Sequence, residues 1–209
     1  MTALAAKRSE FVSELLGRSD YAIIGDIIEP HTTVLDLGCG DGELLQWLVA
    51  NKRVEARGVE ISGEMVQRAI GRGVSVYQGN IDDGLVDYPN SVFDYVILSQ
   101  TLQGTRHPRQ VLREMLRVGR RAIVAFPNFG QWRMRLSMLM SGRAPRTPLF
   151  PHAWYDSPNI HFLTVHDFEE LASIEGFVIE RKYFLTGRHS VRALPNILAE
   201  VAVFLVRRP

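Results

Sequence analysis

The chain has one cysteine, Cys39, in 209 residues. A disulfide framework and a cysteine-rich metal site are therefore excluded within one chain, and a reducing, cytoplasmic setting is expected. No stretch approaches the roughly 20 apolar residues a membrane-spanning helix needs, so no membrane partner is expected. The first residues, MTALAAKRSEFVSELLGRSDY, lack an apolar run between a basic end and a cleavage site and do not read as a signal peptide. Acids are scarce in one region. Between Thr101 and Phe150 ten arginines (106, 109, 113, 117, 120, 121, 133, 135, 143 and 146) stand against a single acid, Glu114. That block carries +9 and the remainder −8, which gives the net +1. Charge of one sign on part of a surface points to an anionic partner, unless the arginines pair with the acidic remainder or lie on a solvated helix face. Both contributions are expected. The whole-chain charge is far below that of typical nucleic-acid binders, so nucleic acid is not the expected partner.

Hydrophobic residues make up 46% and charged residues 22%, enough for one domain with a full core, 1–209. TTVLDLGCG reads as a short strand ending in glycines. DGELLQWLVANK then places Leu44, Leu45 and Leu48 at helical spacing. VEARGVEIS is a second strand. Ser62 can cap a helix with Met65, Ala69 and Ile70 on one face. VSVYQGN and FDYVILSQ are further strands. PRQVLREMLRVG turns Val111, Leu112, Met115 and Leu116 inward and is expected to stop at Gly119. RRAIVAFPN is a fifth strand. Thr164 and Asp167 form a capping-box pattern before a helix closed by Gly176. FVIERKYFLT and LAEVAVFLVRR are two last strands with no helix expected between them, hence an antiparallel pair. A leading helix carries Ile24, Ile27 and Ile28 on one face. Strands alternating with helices predict an α/β fold with a doubly wound, mostly parallel sheet, Rossmann-like, with ligands at the carboxyl ends of the strands.

The first strand ends in VLDLGCGDG, Val34 to Gly42. Glycines at 38, 40 and 42 let the turn bend and let backbone N–H groups approach a ligand. The third glycine of a dinucleotide-type loop would fall at position 43, which is Glu43. Asp36 and Asp41 bracket the loop; two carboxylates disfavour a diphosphate and favour a ligand with a cationic group. Glu60 ends the second strand, 24 positions beyond Asp36, where an acid can accept both hydroxyls of a ribose. Asn80 and Ile81 follow the third strand, where they could meet an adenine.

The ordered set VLDLGCGDG, GVEIS, QGNI and FDYVILSQTLQ resembles the successive motifs of class I S-adenosylmethionine-dependent methyltransferases. The ligand this implies, S-adenosylmethionine or S-adenosylhomocysteine, has an ammonium and a ribose but no phosphate. By that resemblance Asp36, Gly38 and Gly40 line its amino-acid moiety, Glu60 its ribose, and Asn80 and Ile81 its adenine, with Ile61 and Ser99 as further cofactor-binding candidates. Family members often carry Asp at the position of Asn80. Cys39, inside the loop, is expected to be a small packing residue.

The methyl-acceptor half has little signal. Ser99, Gln100 and Thr101 offer neutral hydrogen bonds where amino-directed enzymes often carry an Asn/Asp-Pro-Pro-aromatic motif. His107 before Pro108 reads as a polar loop residue ahead of a helix. No catalytic residue is assigned and no metal is expected.

Residues 128–162 are too long and too rich in Arg, Met, Trp and Pro for a plain connector. Trp132, Leu136, Leu139 and Met140 have helix-compatible spacing, with Arg133, Arg135 and Arg143 around them. Trp154 and Tyr155 follow in a Pro-punctuated loop. Such residues are enriched in interface cores, yet they also suit a lid packing over the cleft. Both readings stay open, with Trp132, Arg133, Arg135, Trp154 and Tyr155 as candidate partner-binding residues. FPNFGQWRMRL and WYDSPNIHFLTVHDFEEL, with ILSQTLQ, resemble the methionine biosynthesis protein MetW family. The resemblance runs from about Asp20 and leaves 1–18 as an N-terminal extension. It implies a protein of the bacterial methionine pathway that works with the homoserine O-acyltransferase MetX, with no settled methyl acceptor. The alternatives are a methyltransferase for a small metabolite and, less favoured, one for nucleic acid.

Overall fold

The computed structural model describes residues 18–147 and 150–209. Of the expected N-terminal extension only Arg18 is among them.

Helix α1 (Ser19–Ile27) leads into strand β1 (Thr33–Leu37), followed by α2 (Glu43–Lys52), β2 (Glu55–Glu60), α3 (Gly63–Gly71), β3 (Ser75–Gln78) and β4 (Phe93–Ser99). Then come α4 (Pro108–Val118), β5 (Gly119–Pro127), α5 (Trp132–Ser141), α6 (Val165–Glu175), β6 (Val178–Thr186), β7 (His189–Ser190), α7 (Pro195–Leu198) and β8 (Val201–Arg207). These strands form one sheet in the order β3-β2-β1-β4-β5-β8-β6-β7. Neighbours among β1 to β5 are parallel, while β8 runs antiparallel to both β5 and β6. Strand order reverses at β1 and β4, which sets the ligand crevice at their carboxyl ends.

Alternation along the central strands divides the core. Ala122, Val124 and Phe126 of β5 and Ala202, Phe204 and Val206 of β8 face the layer built from α4 and α6. Ile123, Ala125, Val203 and Leu205 face the layer built from α1 and α2. Burial on both sides explains the unbroken apolar runs of these strands. Phe126, Phe168 and Phe204 form the aromatic centre of the first layer, with ring centroids 4.6–5.8 Å apart. Ile24, Ile27 and Ile28 and then Leu44, Leu45 and Leu48 are buried in the second, as their spacing predicts.

Two local expectations are corrected. In α3 the buried face is Val66 and Ala69, while Ile70 is exposed; a helix at the rim of the sheet buries a narrower stripe than its composition offers. The helix α4 stops at Gly119 as expected; with φ −109° this glycine is already the first residue of β5, so the chain passes straight from helix to strand. Between β6 and β8 lie a two-residue strand and a four-residue helix begun by Pro195, too short to leave a periodic signal. The Thr164–Asp167 capping box, the Ser62 cap and the left-handed Gly176 are found as expected.

Candidate functional site

The loop from β1 to α2 lies at the switch point. Gly38 has φ +76°, and a Cβ there would meet the Thr101 side chain at 2.7 Å. Glycine is thus required both by the backbone and by the approach of the segment after β4. Gly40 has φ +57° and open space where its Cβ would lie, which leaves the outer rim of the loop accessible. Glu60 closes the loop from β2. Its carboxylate accepts from Gly40 N at 2.9 Å and from Ser62 N at 2.9 Å, so one acid ties the ends of two strands together.

Asp36 is buried, and its Oδ1 has no hydrogen-bond partner. Burial, then the Arg18 guanidinium acting against it, and the charges of Asp20 and Glu60 leave this carboxyl pushed up to about 7. An orphaned buried carboxyl oxygen is a costly feature, and this one is free to accept a hydrogen bond. Asp41, in contrast, is drawn away from the loop. It pairs with Arg72 at 2.7 Å and caps Glu43 N at 3.3 Å. Of the two carboxylates that bracket the loop, only Asp36 is buried with an unpartnered oxygen.

Ser99 is buried, and its hydroxyl is engaged by α1. It donates to Asp20, and Arg18 Nη2 donates to it at 2.9 Å. Asn80 caps the turn Ile81–Asp83 by accepting from Asp82 N at 3.0 Å, which uses its carbonyl and leaves its amide nitrogen. Ile81 packs against the core, whereas Ile61, just past Glu60, is exposed. Cys39 is buried against β2, where a Cβ on Gly58 would come within 2.4 Å of its Sγ. Burial and the neighbouring Asp36 and Glu60 charges push its thiol up to about 12, so it is protonated and inert at neutral pH. Among the described residues no group of three or more His, Cys, Asp or Glu could hold a metal ion.

The insert leaves β5 through Asn128, which is fully buried. Its amide donates to the carbonyls of Asn196 and Ala199 and accepts from Gly130 N and Val165 N. Its later part returns to the site: Ile160 N and His161 N both donate to the Gln103 carbonyl, at 2.9 and 3.0 Å. Gln103 lies two residues beyond Thr101. The insert is thereby fastened beside the cleft.

The pattern of the family described as methionine biosynthesis protein MetW matches residues 18–206. The chain belongs to the MetW family. The "Bifunctional methionine biosynthesis protein MetXA/MetW" of Rhodopirellula baltica is 34% identical over 209 residues, covering 94% of this chain. The chain spans about a third (34%) of that relative's length. Among solved structures, an S-adenosylmethionine-dependent methyltransferase from Mesorhizobium loti superposes with TM-score 0.67 at 16% identity, covering 92% of this chain and 99% of that one. A methyltransferase of Thermotoga maritima, described as a possible histamine N-methyltransferase, gives TM-score 0.65 at 17% identity, covering 98% and 96%. These likenesses establish the class I methyltransferase fold.

The MetW match starts at Arg18, the last residue of the expected N-terminal extension. Arg18 and Asp20 are the site residues that sequence reasoning missed. They precede the first strand by more than a dozen positions, and no motif spacing links them to it.

Within the insert Phe150 and Ala153 are buried and Phe129 packs on Phe150, while most apolar residues of α5 face outward. Of α5 only Met134 is buried; Trp132, Leu136, Met138, Leu139 and Met140 are exposed, as are Trp154 and Tyr155. Arg133 lies beside the Trp132 ring and pairs with Glu200 at 3.4 Å, while Arg135 donates to the Gly130 carbonyl. Six of the ten arginines of the basic block are in ion pairs. Arg109 and Arg113 share Glu175, Arg117 holds Glu114, Arg120 holds Asp94, Arg121 holds Glu180 and Glu29, and Arg133 holds Glu200. Among the described residues Arg106, Arg135, Arg143 and Arg146 have no ion pair. Most of the +9 is therefore balanced locally.

Proposed function

We propose that this MetW-family chain holds S-adenosylmethionine or S-adenosylhomocysteine at the β1–β4 switch. We further propose that it acts in the cytoplasm as a partner of the homoserine O-acyltransferase MetX in methionine biosynthesis. The observation that carries the partner reading is the relative in which MetXA and MetW are joined in one chain. Joining two modules raises their effective concentration, which is useful where the separate modules must meet.

The residues at the switch suit the cofactor. Asp36 has an unpartnered oxygen for an ammonium, Gly40 leaves open space, and Glu60 ends β2 where a ribose would lie. Asn80, Ile81 and Ile61 would flank the adenine and ribose, and Gly38 and Ser99, at the ends of β1 and β4, would line the same crevice. S-adenosylmethionine, when bound, supplies a transferable methyl group. The chain's own residues bind and orient the ligand; no base is assigned.

The chain acts as a single domain, 1–209, with 128–162 as a cap whose outer face docks the partner. Trp132, Arg133, Arg135, Trp154 and Tyr155 are the proposed contacts. Exposed aromatics beside arginines supply the anchors of many interfaces. The test is co-purification with homoserine O-acyltransferase, then acylation assays with and without this chain. Association and a raised acylation rate are expected. No association, and an unchanged rate, would sink the partner reading.

A second reading is a methyltransferase for a small metabolite, favoured by the fold of the superposing enzymes. S-adenosylhomocysteine release that depends on an added acceptor, with no effect on acylation, would favour it over the first.

A further inference from the structure

Helix α5 is ten residues long and buries one of them, Met134. At 3.6 residues per turn, Trp132, Leu136, Leu139 and Met140 fall on one arc about 100° wide, on the side away from Met134. All four are exposed, Leu139 by 80% and Met140 by 78%. A stripe of that width is what a helix ordinarily turns toward a core. Here it faces out, with Arg133 along one border and Arg135 along the other. The helix closes at Gly142, whose φ of 62° turns the chain toward Arg143 and Arg146. From Phe126 to Tyr155 these four arginines stand with no acid at all. Arg133 is partly spoken for by Glu200, which lies outside the insert, and Arg135 by the Gly130 carbonyl. Arg143 and Arg146 are exposed and have no ion pair among the described residues.

Charge selects the occupant of this stripe. A second copy of the chain, pairing α5 with α5 about a twofold axis, would set arginines against arginines with no acid between them. An anionic lipid surface is held by clusters of about four to eight basic residues, and two unpaired arginines fall short of that. A protein helix with its own apolar stripe and flanking acids answers both the Leu and Met side chains and the arginines. We propose that the outer stripe of α5 receives an amphipathic, acid-flanked helix of the partner acyltransferase. Its apolar residues, spaced i, i+3, i+4 and i+7, lie against Trp132, Leu136, Leu139 and Met140, and its Asp or Glu side chains meet Arg143 and Arg146. This rests on the partner reading above and gives the docking face its mode and its chemistry; Trp154 and Tyr155 keep the contacts assigned to them there. Trp132, with the Arg133 guanidinium 5.4 Å from its ring centroid, is the rigid anchor of the stripe. Met140, unbranched and flexible, adapts to the facing side chains.

The test is binding of the full chain to purified homoserine O-acyltransferase, read as association and dissociation rates at low and physiological salt, with a thermal melt of every variant. Leu139→Ser with Met140→Ser should dissociate roughly tenfold faster or more, with an unchanged melt, because neither side chain is packed in the fold. Arg143→Glu with Arg146→Glu should slow association roughly tenfold at low salt, and the deficit should shrink at physiological salt as screening sets in. Arg143→Lys with Arg146→Lys keeps the charge and should associate like the parent. If the parent associates and both the Ser and the Glu pairs behave like it, α5 is not the dock, while the partner reading stands on another surface. Loss in the Ser pair alone overturns the acidic flank, and loss in the Glu pair alone overturns the apolar stripe. Light scattering and co-sedimentation with vesicles of equal parts phosphatidylglycerol and phosphatidylcholine test the other occupants. A dimer, or vesicle binding, that the Ser pair abolishes while acyltransferase binding is unaffected gives the stripe to a second copy or to lipid and overturns the proposal. If the parent does not bind the acyltransferase, the partner reading falls and the proposal with it.

Discussion

Two residues show how closely the glycine loop is built. Cys39 fits because residue 58 has no side chain, and a Cβ at Gly58 would come within 2.4 Å of the sulfur. Gly58→Ala should therefore cost ~1–3 kcal/mol by overpacking, and clearly less in a Cys39→Ala background. Urea melts of the four-member cycle measure this coupling; additive effects would mean the two residues do not press on each other. Glu60 carries a double burden, holding Gly40 N and Ser62 N in addition to its proposed ribose contact. Glu60→Ala is expected to weaken S-adenosylhomocysteine binding by ~1–3 kcal/mol, read by calorimetry, since charge-assisted hydrogen bonds are lost. Asp36, Gly38, Gly40 and Glu60 were legible because each has a fixed offset from a strand end. Arg18 and Asp20 were not, because α1 reaches the site by packing, and packing leaves no spacing in the sequence. The pairing of Asp41 with Arg72, just past the helix after β2, was not legible because it is a tertiary contact.

At the level of elements, the insert divides into a fastened inner side and an open outer side. Met134 is the buried residue of α5, and Met134→Ala should cost ~2–5 kcal/mol in a denaturant melt. Trp154 is 77% exposed and Tyr155 66% exposed. Trp154→Ala should change stability by less than ~0.5 kcal/mol, yet abolish a pull-down of the acyltransferase if the outer face is the dock. Retained pull-down by Trp154→Ala and Tyr155→Ala alike would leave the insert as a cap alone. Helical spacing identified α5, but it could not tell which side of that helix is covered. An apolar stripe looks the same in sequence whether the chain or a partner covers it. The same ambiguity explains α3, where Ile70 fits the stripe yet lies exposed.

For the whole molecule, the sheet was readable because strands and helices alternate, and because strands buried on both faces are continuously apolar. Charge was less readable: ten arginines suggested a patch, and ion pairs across the fold balance six of them. The buried Asp36 gives the molecule a pH signature. Its folded pKa of about 7 lies above the usual carboxyl value near 4, so between these limits the folded state binds the extra proton. Stability of the ligand-free protein should thus fall as pH rises from about 4 to about 7, by ~1.4 kcal/mol per pH unit at most, and level off above. Asp94 and Glu114, whose pKa values are lowered chiefly by hydrogen bonds, act oppositely and only at more acid pH. Melts of the parent minus those of Asp36→Asn isolate the slope; a flat difference would contradict it. The placement of β8 bears on how such a sheet comes to exist. It lies between β5 and β6, yet it comes last along the chain of all the described strands. A polypeptide emerging from the ribosome amino-end first exposes two unpaired strand edges until residues 201–207 arrive. The sheet is completed from its interior by the last of its described strands to be translated, so an arrested chain ending before Val201 should be a client for chaperones rather than a smaller folded protein.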